Sequence, residues 1–386
     1  MLPRVVSRFA VRRCVDAFKT RRWAVALPGA RYYPGHSSTW RIAYHHARWM
    51  SQFIGLDDKV LEVVQKELRT EPPVKAKQLQ LLSSLASDTS EMNKELVLKH
   101  NSAMKLTGHE VYTLAIALFQ ASQTVGPESL EIAVPLFEYG GELGEHNSAY
   151  TFAQLLRSGQ GCTADPTRAA KMFTELAMKG HPYAQFALAG MHYSGLGVEQ
   201  NFNVAYTLYK VSAQNFVPQA YTILGEMHRL GQGVSENLAE AVSYYEKGAQ
   251  LGDPAAHLAL AQCYTHGKGL AQSYEKAFEH NKSASELGHP IGTYNVGGHY
   301  FAGKGAEQSF EKAAEFFSKA AEKGFAPAQV NLGNMYYSGM GVPKDWQKAK
   351  ELYRVASDAD QNAKLLLEEL ELEEQQQKKN DHERKS

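Results

Sequence analysis

Six Gly-x-Gly triplets stand at Gly159/Gly161, Gly195/Gly197, Gly231/Gly233, Gly267/Gly269, Gly303/Gly305 and Gly339/Gly341. Glycine-rich loops can cradle a phosphate, because the bare backbone lets N–H groups close on an anion. A dinucleotide fingerprint also needs a preceding strand and a third glycine, and both are missing here. His192 and His228 share one phase of the chain. On stacked helix pairs they stand about 10 Å apart, too far for a shared metal ion, so the expected role is an imidazole in place of a buried tyrosine, its polar tip at the rim. Cys14, Cys162 and Cys263 have neither ligand nor disulfide spacing, and Cys162 and Cys263, with no activating basic neighbour in sequence, are expected to be buried or loop thiols. No nucleophile elbow, His-Glu-x-x-His or paired carboxylates stand out, and Glu240, Glu275, Glu311 and Glu315 fall on exposed helix faces. These residues predict no enzyme, no cofactor, no metal and no small-molecule substrate.

The glycines acquire a meaning from their spacing, which is 36 residues without a slip. Ala133, Ala169, Ala205, Ala241, Ala277, Ala313 and Ala349 keep the same period, and four residues later stand Phe137, Phe173, Tyr209, Tyr245, Asn281, Phe317 and Tyr353. At i, i+4 both lie on one face of a helix, the small residue allowing close approach and the ring filling the next gap. This is helix B of each unit. Gly144, Gly180, Gly252, Gly288 and Gly324 then end B in the left-handed conformation that is cheap for glycine. Phe216 breaks that column, with Asn215 beside it as the expected substitute. Pro182, Pro218, Pro254 and Pro290, with Pro327 one place later, open the following helix A. Helix A carries small residues at Ala117, Ala153, Ala189, Gly225, Ala261, Gly297 and Gly333, where a neighbouring helix presses closest. Each Gly-x-Gly is thus the A-to-B turn.

The run Ala328-Gln-Val-Asn-Leu-Gly-Asn-Met-Tyr-Tyr-Ser-Gly-Met-Gly-Val342, followed by Lys348-Ala-Lys-Glu-Leu-Tyr353, resembles a Sel1-like repeat, a relative of the tetratricopeptide repeat. The resemblance implies an all-α, right-handed superhelical solenoid with seven helix pairs over 109–360. The first unit is degenerate, having Gln123-Thr-Val125 in place of the glycines. Residues 361–377 read as a C-terminal capping helix and 378–386 as a charged disordered tail. Residues 51–108 hold helical segments at Leu56–Leu68 and Lys77–Leu85, separated by Pro72-Pro73, and a third at Ser90–Leu98.

Solenoids of this kind generate a concave surface lined by A helices. Once the core columns are set aside, Tyr150, Gln154, Arg157, Phe186, Tyr193, Glu226, Arg229, Gln262, Tyr294, Phe301, Asn334 and Tyr337 remain as groove candidates. Aromatic and arginine side chains of this sort anchor protein interfaces. The expected occupant is an extended peptide or a helix of a partner protein; the alternative for any single ring is packing between repeats.

The 386 residues hold 41 basic and 41 acidic side chains, with 44% hydrophobic, a globular mixture. No run approaches the ~18 apolar residues of a membrane span. The charge is uneven, since residues 1–50 carry ten basic side chains against Asp16 and leave a formal −9 for the rest. Arg4, Arg8 and Arg12 at i, i+4, i+8 beside Val5, Val6 and Phe9 make 1–50 resemble a mitochondrial presequence, with Arg31-Tyr-Tyr33 or Arg48-Trp-Met-Ser51 as processing sites. Removing it leaves an acidic array, which disfavours the phosphate backbone of nucleic acid. Mitochondrial Sel1-like proteins include matrix-side inner-membrane factors for cytochrome c oxidase biogenesis. The resemblance therefore implies a non-enzymatic scaffold in the matrix or on the matrix face of the inner membrane, whose partner is a respiratory-chain subunit or an insertase. A stress-signalling or protease-adaptor scaffold and an RNA-processing factor are the alternatives.

Overall fold

The computed structural model describes residues 58–68, 72–87, 92–124 and 126–385. The segment 1–50 that resembles a presequence, its expected processing sites and Cys14 lie outside the described residues. The regular elements among the described residues are all helices, and the chain divides into two compact units at His181/Pro182.

The first unit contains α1 (Asp58–Glu67), α2 (Pro72–Ser87), α3 (Lys94–Met104), α4 (Gly108–Thr124), α5 (Glu128–Glu142), α6 (His146–Ser158) and α7 (Pro166–Met178). Helix α1 packs on α4 and α3 on α5, while α4 to α7 form two successive A–B pairs. Pro72 and Pro73 open α2, where the missing N–H costs nothing, so they belong to the helix that the sequence reading began at Lys77. Asn93 caps α3 by accepting from the Leu96 N–H.

The second unit stacks five pairs: α8 (Pro182–Ser194) with α9 (Phe202–Gln214), α10 (Pro218–Leu230) with α11 (Leu238–Gln250), α12 (Pro254–His266) with α13 (Tyr274–Glu286), α14 (Pro290–Ala302) with α15 (Phe310–Glu322), and α16 (Ala326–Ser338) with α17 (Trp346–Ala356). Helix α18 (Gln361–Lys385) packs on α17. It continues through the segment 378–385 that the sequence reading assigned to a disordered tail. Glu, Gln and Lys are strong helix formers, and Lys350 holds Glu374 at 2.8 Å and Glu371 at 3.4 Å.

Each A helix ends on the first glycine of its triplet, Gly159, Gly195, Gly231, Gly267, Gly303 or Gly339, with φ between 66° and 76° and an N–H returned to the carbonyl four residues earlier. The hydrogen-bonded turn is centred there, and both glycines of each triplet take the positive φ expected of the A-to-B connection. The second glycines, Gly161, Gly197, Gly233, Gly269, Gly305 and Gly341, lie past the turn in a bend of the chain, again left-handed, with φ between 70° and 76°. The bend is needed because the chain must still swing back to the end of helix A. There the N-cap residue of helix B donates its N–H to the A-helix carbonyl nine residues before, as in Asn201 to His192, Ser273 to Tyr264 and Asp345 to Tyr336.

The second glycine has a further reason to be glycine. A Cβ on Gly233 would stand 2.6 Å from the carbonyl oxygen of Phe202, at the start of the preceding B helix. Gly269, Gly305 and Gly341 press in the same way on the carbonyls of Leu238, Tyr274 and Phe310. The bend is therefore also the place where one repeat touches the last.

The B-to-A turns follow the same rule with one correction. Gly252 and Gly288 take φ of 83° and 87°, as expected, but in the α9–α10 turn the left-handed residue is Phe216 itself, at 62°, and not Asn215 at −91°. A bulky side chain in that region carries roughly 1–2 kcal/mol of strain. Its ring is exposed.

The core consists of the column rings. Phe137, Phe173, Tyr209, Tyr245, Phe317 and Tyr353 are all buried. The small A-helix residue lies directly under the ring: a Cβ on Gly297 would meet Phe317 at 2.8 Å, and one on Gly333 would meet Tyr353 at 2.5 Å.

Candidate protein-binding face on the A helices

The groove candidates occupy three positions on each A helix, and the structure gives each position a different fate. The first is used for packing. Tyr150 stacks on His181 at 5.0 Å and leans on Phe173 at 5.7 Å. Phe186 meets Tyr209 edge-on at 5.3 Å, and Tyr294 is wedged against Phe317 and Phe325 at 5.5 and 5.2 Å. Thr222 and Val330, in the same column, are buried. Tyr150, Phe186 and Tyr294 are thus corrected from groove to inter-helix packing. A ring three residues before the small A-helix position falls on the core side of the helix.

The second position faces the buried ring of helix B from nineteen residues away in sequence. The Tyr245 hydroxyl donates to Glu226 at 2.5 Å, and the Tyr353 hydroxyl donates to Asn334 at 2.7 Å. Burial and the neighbouring Glu226 carboxylate push the Tyr245 hydroxyl well above the usual phenol range, so it stays a donor. Burial pushes Tyr353 up to about 12. Glu226 also holds Arg229, at 2.6 Å to Nη2 and 3.0 Å to Nε, and this bond raises the guanidinium further. Gln154 donates to the Tyr150 hydroxyl at 2.7 Å, and Gln262 is exposed.

The third position packs on the first residue of its own B helix. Tyr193 is edge-on to Phe202 at 5.3 Å, Phe301 to Phe310 at 5.3 Å, and Tyr337 stacks on Trp346 at 5.6 Å. The Tyr193 hydroxyl donates to Gln232 of the next turn. Tyr337 is further engaged by α18, donating to Glu373 at 3.0 Å, which raises its pKa. Arg157 is half-buried. Phe301 stays the most open of these rings, 39% exposed.

In the α14–α16 part of this face the pattern leaves a gap. Where α11 and α17 supply a tyrosine, α15 supplies Phe317, and the second position opposite is Gly298, in front of which there is open space. Neither hydroxyl nor side chain fills the place that Tyr245 with Glu226, or Tyr353 with Asn334, fills elsewhere. A cavity of about 120 Å³ lies beside Phe317, lined by Phe301, Phe317, Asn331, Asn334, Met335, Ser338 and Met340. Methionines and an open phenyl ring make an adaptable apolar wall, and the two asparagines make a polar rim.

The histidines are structural in different ways. His192 Nδ1 lies 3.2 Å from the Glu199 carbonyl across its turn, while His228 is held between Tyr206 and Tyr244, and burial lowers its pKa. Sequence reasoning missed a second group: His257 and His280 meet Nδ1 to Nδ1 at 3.0 Å, and His299 Nε2 lies 3.1 Å from Asn281 Nδ2. Asn281 in an aromatic column was the available signal. Among the described residues no three His, Cys, Asp or Glu side chains are grouped to hold a metal ion, and no helix is long and apolar enough to cross a membrane. Cys263 is buried and Cys162 lies half-buried beside its turn, both thiols pushed up by burial.

The same architecture is found in solved structures. A Sel1 repeat protein from Oxalobacter formigenes is 26% identical, with a TM-score of 0.58 over 64% of this chain and 100% of that one. The protective antigen c5321 of uropathogenic Escherichia coli, which displays an SLR fold, is 22% identical, with a TM-score of 0.51 over 80% of this chain and 66% of that one. No curated protein matches the sequence. The Sel1 repeat model matches residues 148–181, 182–215, 218–253, 254–289, 290–325 and 326–361 in unbroken or nearly unbroken succession. The α4–α5 pair lies outside that match although it repeats the layout. Period, turns, fold and match agree, and the chain belongs to the Sel1 repeat family.

Proposed function

We propose that this protein is a non-catalytic scaffold that holds a segment of a partner protein on its A-helix face. Sel1 repeat proteins act as protein-interaction scaffolds. The observation that carries the reading here is the gap at Gly298 and Phe317, where the repeat pattern omits both groups that close the face elsewhere and leaves a cavity beside the open ring of Phe301. A cavity with an apolar floor and amide rim accepts one apolar side chain of a peptide or helix while Asn331 and Asn334 bond its backbone.

The site of action is the mitochondrion, in the matrix or on the matrix face of the inner membrane, and the partner is a respiratory-chain subunit or an insertase acting in cytochrome c oxidase biogenesis. The basic, acid-poor segment 1–50 ahead of an acidic array supports this reading. Fractionation and cross-linked co-purification test it with the wild type and Gly298→Leu, which puts an isobutyl group into the open space in front of residue 298, one helical turn from Phe301. Oxidase subunits or the insertase should accompany the wild type and be lost with Gly298→Leu, while the melting temperature is kept. Recovery of a protease, a kinase or a stoichiometric transcript would replace this reading with the adaptor or RNA alternatives.

A further inference from the structure

A larger cleft, about 480 Å³, lies within the first unit. Its floor is Val134, Pro135, Phe152 and Leu156, all buried, and its rim carries Glu131, Glu138, Cys162 and Arg168. The size is that of an ordinary ligand pocket.

Its polar groups are unequally used. Glu138 is already engaged: Arg168 Nη2 approaches it at 2.5 Å and Lys94 Nζ at 3.9 Å. Arg168 is committed twice, since its guanidinium also lies 5.2 Å over the Phe152 ring. The Cys162 thiol is pushed up by burial and stays protonated, a weak donor. Glu131 differs. It is exposed and forms no ion pair among the described residues. Its carbonyl is also deprived, because the helical donor four residues on would be residue 135, a proline inside α5. One residue thus offers the cleft a free carboxylate and a carbonyl without its ladder N–H, above an apolar floor. Of the two carboxylates on the rim, Glu138 has its cations and Glu131 has none among the described residues.

We infer that this cleft is a second docking site, which takes an arginine side chain of a partner protein: the guanidinium on the Glu131 carboxylate and carbonyl, the aliphatic stem on Pro135 and Val134, and an adjacent apolar residue toward Phe152 and Leu156. Arginine suits it because its planar fork can serve both acceptors while the stem stays buried.

The test uses the full chain and a short fluorescein-labelled peptide with arginine between two leucines, beside a twin in which citrulline replaces arginine. Fluorescence anisotropy should show the arginine peptide binding about tenfold tighter than the twin. Glu131→Gln should weaken the arginine peptide about tenfold with helicity unchanged, and Glu351→Gln, an exposed acid on α17, should not. Pro135→Ala restores the ladder donor and should weaken binding a few-fold. Bound peptide should slow alkylation of Cys162 by iodoacetamide. Equal binding of the two peptides, no loss with Glu131→Gln, or unchanged alkylation of Cys162 would each overturn the assignment. Because Gly298→Leu leaves this cleft intact, failure here and failure of the A-helix face are separable.

Discussion

Helix α13 and its neighbours α11 and α15 occupy equivalent places in successive repeats, yet the column that buries Tyr245 in α11 and Phe317 in α15 buries Asn281 in α13. The rings are held chiefly by buried area, with a glycine opposite to admit them. Asn281 is held by bonds: its Nδ2 faces His299 Nε2 at 3.1 Å, and its Oδ1 accepts from Asn295 at 2.9 Å. His299 Nδ1 in turn donates to the Lys304 carbonyl at 2.6 Å, and Ser285 and Thr293 meet at 2.9 Å nearby. One layer gains from apolar surface removed from water, the other from satisfied polarity. The polar layer adds geometric demand without adding burial, so the α13–α14 contact is expected to be the softer one.

Four tests break or sharpen that contrast. Tyr245→Ala opens the aromatic layer and orphans a bond to Glu226; a loss of about 4 kcal/mol in urea unfolding is expected. Asn281→Ala removes the partner of His299 Nε2 and of the Asn295 amide and should cost about 2 kcal/mol. Coupling between Asn281→Ala and Asn295→Ala in a double-mutant cycle would show that the network and not the volume is responsible.

The third is a pH effect. Burial lowers the pKa of His257 and His280; in addition His257 and Lys276 push His280 down, while Asp253 pulls His257 up. A histidine whose folded pKa lies below its unfolded value, about 6.5, favours the folded state while it is neutral. Its contribution is present above that value and is lost as pH falls toward the folded pKa, because the unfolded chain takes up the proton first. Thermal melts between pH 7.5 and 5 should therefore show a falling Tm. His280→Phe copies Phe316, which stacks on Tyr300 as His280 stacks on Tyr264. It should flatten the profile.

The smallest effect concerns the turns. Phe216→Gly puts at the α9–α10 turn the residue found at Gly252 and Gly288, and should stabilise the protein by about 1 kcal/mol. A loss instead would mean that the Phe216 ring makes a contact worth more than its backbone strain.

Much of this architecture can be read from the amino-acid order, because a 36-residue period converts every glycine, proline and ring into a position on a helix pair. The A-to-B turns, the small residues under the rings and the N-terminal prolines of the A helices follow from it directly. The division of labour within each triplet does not, because Gly195 and Gly197 look alike in sequence and only the chain path separates the turn from the bend that presses on the previous repeat. Nor does the end of α18, since Gln375–Lys385 carries no apolar periodicity and its helicity rests on propensity and on anchoring by Tyr337 and Lys350. The A-helix face is legible as a set of positions and not as a surface. Which of three positions points inward depends on small rotations of the helix, and so Tyr150, Phe186 and Tyr294 are half-buried and engaged in packing between helices. At Phe317 and Gly298 two groups are omitted nineteen residues apart, and at Glu131 a proline four residues on removes a helical donor. Omissions of that kind become visible only against the filled equivalents.

The central claim, that the A-helix face holds a partner segment at the Phe301–Phe317 cavity, is tested most directly by a photo-cross-linking residue placed at Phe301, with a second version at Phe216 on the B-to-A turn. Irradiation in intact cells should link position 301 to one partner protein in high yield, Gly298→Leu should abolish that product, and position 216 should not give it. Absence of a product at 301, or the same product at equal yield from 216, would contradict the claim.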